Sequence, residues 1–164
     1  MMEISQMADL TRAEVIKVIA GNSGSGKGVI LRGVDLSQLN LSQLSLAEAN
    51  LQLANLNQAY LSRADLAKSD LSQANLSYVD LSEANLQGAN LRGANLAGAD
   101  LRAANLTDVD LREADLRGTN LRGAILVRVN FWNANIEDTN LMFANLEGAR
   151  GLPVGFDQWS ESSS

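Results

Sequence analysis

The stretch "ANLRGANLAGADLRAANL", residues 89–106, repeats a five-residue unit, A-(N/D)-L-x-x, without a gap. The register continues on both sides. From Leu31 to Leu146 an apolar centre recurs every fifth residue through 24 consecutive units, 22 of them centred on Leu, with Phe131 and Ile136 the exceptions. Two places before the centre the residue is usually Ala, and Asn or Asp fills the place between in 20 units.

A strict period of five suits no straight element. On an α-helix each five-residue step rotates the side chain by about 140° and scatters the leucines around the axis. On a flat strand an odd step sends successive leucines to opposite faces. All of them can be buried together only if the chain turns a corner in each unit. Each Leu then points to a central axis, and the residue two places earlier points in beside it by the strand's period of two. The chain must therefore coil as a solenoid.

Tandem A-(N/D)-L-x-x units over residues 31–150 resemble the pentapeptide-repeat family. The resemblance implies an all-β solenoid, a right-handed quadrilateral β-helix with four units per coil. With 24 units that gives 6 coils, and rungs about 4.8 Å apart make a column roughly 29 Å tall. Asn and Asp beside the corners suit tight turns, because their short side chains bond nearby backbone. Asn55, Asn75, Asn95 and Asn135, spaced by multiples of twenty, are expected to stack as a ladder that Asp115 interrupts. Leu packed on Leu between coils fills the column and leaves no room for an internal ligand.

Composition narrows the chemistry. The 164 residues make about one domain, and they include no His and no Cys. Zinc sites of the usual ligand type, Cys or Ser-His nucleophile pairs and disulfides are thereby excluded. No catalytic residue, metal or cofactor is expected. The segment Met1–Val15 lacks a basic region followed by an apolar one, and no apolar run reaches 18 residues, so a cytoplasmic chain without a membrane span is expected. A net charge of −6 argues against direct nucleic-acid binding. The family is abundant in cyanobacteria, and many members have no assigned biochemical role, so the resemblance makes a cyanobacterial source an expectation.

Gly21 to Lys27, "GNSGSGK", fits the first seven positions of a phosphate-binding loop, G-x-x-x-x-G-K-[ST]. Such a loop needs a strand before it, a helix after it, and Ser or Thr after the Lys to hold Mg²⁺. Here Gly28 follows Lys27, and the repeat begins at Leu31. Upstream, Thr11 and Glu14 fit a capping box, with Leu10 and Val15 placed as a hydrophobic staple. Residues 11–30 are accordingly read as a capping helix, Arg12 to Ala20, stopped at Gly21 and followed by a Gly/Ser-rich connector. Residues 1–10 form an arm before it. Ile16 and Ile19 are assigned to the face that lies over the first coil. A nucleotide-binding function is disfavoured.

Function then belongs to the two outward positions after each centre. One lane reads Arg32, Gln52, Ser72, Arg92, Arg112, Trp132, and another reads Ser42, Ser62, Ser82, Arg102, Arg122, Met142. Arg92, Arg102, Arg112 and Arg122 are a secondary candidate surface, although 14 acidic residues stand among 10 basic ones in the repeats and a mutually screened face is expected. The family also includes mimics of a DNA duplex that occupy DNA gyrase. That alternative calls for a strongly acidic rod, which the arginines interrupt.

The primary candidate surface is apolar: Ile125, Val127, Trp132, Met142 and Phe143, gathered late in the chain. Its occupant is left open among three. The tail, residues 151–164, could fold over it with Leu152, Val154, Phe156 and Trp159, the reading preferred here; the last coil of a second copy could stack on it, a homodimer of the kind the resemblance implies; or an unidentified protein could bind. Leu53 and Tyr60 are assigned to contact with the capping helix or connector. The expected function is that of a non-enzymatic scaffold for protein–protein interaction.

Overall fold

The computed structural model describes residues 11–21 and 27–153. Through the repeats, parallel bridges join each residue that precedes a centre to the one twenty further on, from Ile30 with Asn50 to Asn130 with Arg150. One coil is therefore four units. Four ladders result: the first face carries Leu31, Leu51 and Leu71, the second Leu36 and Leu56, the third Leu41 and Leu61, the fourth Leu46 and Leu66, each continuing by twenties.

Each unit bonds to the coil below it in the same way. On the first face the Leu51 amide donates to the Asp70 carbonyl at 2.7 Å, the Asp70 amide donates to the Ala49 carbonyl at 2.9 Å, and the Leu53 amide donates to the Ser72 carbonyl at 3.1 Å. Corners are turns in which the amide three places after a centre donates to that centre's carbonyl, at 2.9–3.4 Å in all 24 units. The second turn residue has positive φ every time, as a type II turn demands, and in 17 of those units it is not Gly. The fold therefore accepts left-handed backbone at Gln, Glu, Arg, Lys and even Leu53 and Phe143. A conformation costing roughly 1–2 kcal/mol per residue persists because the buried centre of the unit and, in every coil with another below it, three ladder bonds per unit fix it.

Inside, the centres from Leu31 to Leu126 are essentially inaccessible, and Phe131 fills the same place in the last coil. Each buried Leu contributes about 1.5–3 kcal/mol. Thr119, at an Ala position, is also buried, and its hydroxyl donates to the Leu96 carbonyl at 2.8 Å. Outside, the expected ladder forms on the second face: Asn55 Nδ2 donates to Asp35 Oδ1 at 3.0 Å, Asn75 to Asn55 at 3.1 Å and Asn95 to Asn75 at 3.5 Å. Asp115, whose side chain has no N–H to donate, is held instead by Arg117. The same Oδ1 atoms accept the amide two residues on, as from Ser77 to Asn75 at 3.2 Å, so one side chain fixes both its turn and its rung.

The helix α1 (Arg12–Gly21) lies at the upper end. Thr11 N–H donates to Glu14 Oε2 at 2.7 Å and Glu14 N–H to Thr11 Oγ1 at 3.4 Å, the reciprocal capping box. Leu10, the other half of the expected staple, lies outside the described residues, as do the arm at 1–10, the connector from Asn22 to Gly26 and the tail from Val154. Val15 and Ile19 are buried in the core, whereas Ile16 is 41% exposed. The covering face thus runs through positions four apart, and Ile16, one step from Val15, is turned away. Gly21 is the last helical residue. The Arg12 guanidinium donates to the Asn40 carbonyl and, at 3.4 Å, to the Ser42 carbonyl. In lower coils equivalent carbonyls accept amides from the coil above, as Tyr60 does from Leu41. Arg12 supplies that partner where no coil exists, protecting an open sheet edge.

At the lower end Arg150 continues the first face for one more rung, its amide donating to the Val129 carbonyl at 2.9 Å while its carbonyl accepts from Phe131 at 2.7 Å. Gly151 follows with φ 83°. Of the tail residues expected to cover this end, Leu152 packs against the core.

Candidate functional site

Because residues twenty apart share a lane, residues ten apart stand on opposite sides of the column. Trp132 lies at the corner between the first and second faces, and Met142 and Phe143 at the corner between the third and fourth, half a coil away. They are 60%, 51% and 48% exposed. The structure therefore does not bring Trp132 together with Met142 and Phe143, close as they are in sequence. Ile125, 43% exposed, stands on the fourth face one rung above Asn145 and so beside the Met142–Phe143 corner. Val127, half-buried, lies at the next corner round. Leu53 and Tyr60, assigned above to the capping helix or connector, are both largely exposed.

The arginines separate by what stands two residues before them. In Asp-Leu-Arg units the Asp that bonds the turn also accepts the guanidinium: Arg102 Nη2 donates to Asp100 Oδ2, Arg112 to Asp110 and Arg117 to Asp115, each at 2.6 Å. Hydrogen bonds from these arginines are the main cause holding the three carboxyls below the ordinary aspartate range. Arg92 follows Asn90 and reaches across to Glu113 at 2.8 Å. Arg128 clasps Asp108 at 2.6 and 2.7 Å, which depresses that carboxyl too. Arg122 follows Asn120. Among the described residues no carboxylate lies within 4.0 Å of its guanidinium, which instead sits 5.1 Å above the Phe143 ring centre. At an exposed site that cation–π contact contributes about 0.5–1 kcal/mol. Of the four candidate arginines, three are already neutralised on this surface.

The lane above Phe143 is bare. Gly123 occupies the position one coil up, with open space where a Cβ would stand, and Ala103 the position two coils up. A notch results over Phe143, occupied only by the Arg122 guanidinium above the ring, with Ile125 on the neighbouring face. Lanes spaced by twenty place Arg122 over Met142 in the sequence, but Gly123 and Ala103, over Phe143, carry too little side chain to signal a site. A second depression, polar, open and about 290 Å³, lies at the corner between the first and second faces, between Gln52 and Glu113, where Ser72 is short and Arg92 is drawn aside.

Lys27, the lysine of the loop-like motif, lies 3.8 Å from Glu48. The residues before that motif are the helix α1 and those after it the repeat, the reverse of the strand–loop–helix order that binds phosphate. No helix among the described residues is long and apolar enough to cross a membrane.

Four-sided coils of Leu-centred units define a pentapeptide β-helix. The family profile, pentapeptide repeats, matches in eight copies over residues 30–66, 54–93, 84–123 and 114–150, and the chain belongs to this family. Solved structures agree on a right-handed quadrilateral β-helix. A trypsin-treated form of QnrB1, a plasmid-mediated fluoroquinolone resistance protein, superposes with a TM-score of 0.65 at 20% identity, over 77% of this chain and 68% of that one. A pentapeptide repeat protein from Nostoc superposes at 0.50 with 36% identity, over 55% of this chain and 78% of its own. Another, Rfr23 from the cyanobacterium Cyanothece, is 31% identical over 84% of this chain and 94% of its own, with a TM-score of 0.47. No curated protein matches.

Proposed function

We propose that this chain is a non-enzymatic scaffold that binds a protein through the outer surface of its lower coils, at the corner of Met142 and Phe143. The observation that carries this reading is the filled column: with Leu side chains packed rung on rung and inaccessible, chemistry inside the solenoid has no place, and recognition falls to outward residues. Most outward residues are small, polar or paired. Met142, Phe143 and Ile125 are not, and several exposed apolar side chains on adjoining positions are the usual mark of a contact surface.

The test is affinity capture from a lysate of the source organism with wild type and with Met142→Ser/Phe143→Ser, both confirmed as folded by circular dichroism. The expected result is a reproducible partner lost in the variant. A partner retained by it moves the surface elsewhere on the column.

The gyrase-directed alternative is less well supported. Likeness to QnrB1 at 20% identity concerns the fold alone, and a DNA mimic needs carboxylates that present free negative charge. Asp100, Asp108, Asp110 and Asp115 are each clasped by an arginine. Absence of any effect on gyrase supercoiling at protein excess is the expected outcome, and inhibition would favour that alternative.

A further inference from the structure

Resting on the reading just given, the partner's chemistry can be narrowed, because the corner combines an apolar floor with a cation that no carboxylate of the described surface neutralises. We propose that the notch above Phe143 binds a short extended segment of a partner protein in which an apolar side chain stands next to Asp or Glu. The apolar side chain covers Phe143, Met142 and Ile125, and the carboxylate takes the fork of Arg122.

Three observations support this occupant. The guanidinium groups nearest on the column, Arg102 one coil above and Arg117 at the next corner round, are already held by their own Asp two residues before, and Arg122 differs because Asn120 stands there. An Arg without that clasp keeps the planar donor pair that fits a carboxylate. Gly123 and Ala103 leave the lane over the ring empty, so a side chain can descend onto Phe143 from above without displacing anything but the Arg122 head group. The surface is also narrow: the large exposed apolar residues at this corner and the adjoining face are three, Ile125, Met142 and Phe143, where a stable protein–protein interface takes about 20–30 residues a side. That scale suits a peptide-like segment with one anchor and one charge pair.

Selection of short random peptides displayed on phage against the wild-type chain, with counter-selection on Phe143→Ser, tests the proposal. Enriched sequences are expected to place Asp or Glu within one or two residues of Phe, Leu, Ile or Trp. A labelled enriched peptide is then titrated by fluorescence anisotropy. Arg122→Glu should weaken it about tenfold or more and bind better the peptide whose acidic residue is exchanged for Lys; Arg32→Glu, at the opposite corner of the first coil, should bind like wild type. Thermal melts of both variants at wild-type temperature separate lost contact from lost fold.

Enriched peptides without acidic residues, or an Arg122→Glu variant that binds them unchanged, overturn the assignment. So does a labelled enriched peptide that binds markedly tighter once residues 154–164, which carry Phe156-Asp157-Gln158-Trp159, are deleted; that result gives the notch to the tail, its own or that of a second copy. If the captured partner of the preceding test is lost in Met142→Ser/Phe143→Ser but kept in Arg122→Glu, the scaffold reading stands and the acidic partner falls.

Discussion

Gly151 shows how closely the end of the column is fitted. A Cβ there would stand 2.5 Å from the Trp132 nitrogen and 2.8 Å from the Phe131 carbonyl carbon, at φ 83°. Gly98 is a useful comparison: its Cβ would meet the Tyr78 ring at 2.6 Å, also at positive φ. The difference lies in what must move. Tyr78 is an exposed side chain that can swing aside, whereas backbone held by ladder bonds cannot. Gly151→Ala is therefore expected to cost at least about 2 kcal/mol, strain and overpacking together, and Gly98→Ala about 1 kcal/mol, the cost of left-handed backbone alone. Urea titration of both variants measures the gap, and equal losses would mean that the end of the chain simply peels away from Trp132.

At the scale of the unit, the Asp-Leu-Arg clasp predicts a pH response. Asp100, Asp110 and Asp115 titrate below their ordinary value because of the hydrogen bonds from their arginines. A depressed folded pKa adds stability above the unfolded value of about 3.9, and that contribution is lost as pH falls through the folded values. Replacing Arg102, Arg112 and Arg117 with Gln should lower the melting temperature at pH 7 while narrowing the difference from wild type as the pH drops below about 4. Parallel melting curves across that range would show the clasps to be thermodynamically idle. At the helix, Arg12→Ala should cost about 1–3 kcal/mol by leaving two edge carbonyls without their charged donor, and amide exchange of α1 should rise more than that of the central coils. These elements were unequally legible. The five-residue period specified a chain that turns a corner in each unit, while four units per coil followed only from the family resemblance; Thr11 with Glu14 specified the helix start, because a capping box is local chemistry. Left-handed turns at Gln, Glu and Lys carry no residue signature, because ladder bonds impose them. Trp132 was grouped with Met142 by proximity in sequence, although in a coil of twenty a separation of ten means opposite sides. Ile16 was placed inward one position from Val15, where docking geometry rather than apolarity chose the face.

For the whole molecule, near-identity of coils makes length a multiple of register. Stability of such a solenoid is close to a sum of coil and interface contributions, so removing one full coil should leave a shorter but intact column. Deleting residues 71–90 joins Asp70 to Leu91 and recreates an N/D-L junction, keeping every later Leu on its original face. The upper contacts of Arg12 with Asn40 and the lower corner of Arg122 and Phe143 are untouched. Cooperative unfolding should persist, with a urea m-value reduced roughly in proportion to the surface removed. Deleting only residues 71–74 removes less material but brings Asn75 to the centre position and sends Leu76 and every later centre to the first, outward turn position. That variant should melt below the full-coil deletion, since the chain must either expose the later centres or take up one extra residue as a bulge at the junction. Circular dichroism melts of the two deletions decide the matter: if the shorter deletion proves the milder, a bulge at the junction has returned each later Leu to the interior, and burial of the Leu column outweighs the local turn geometry in setting the register.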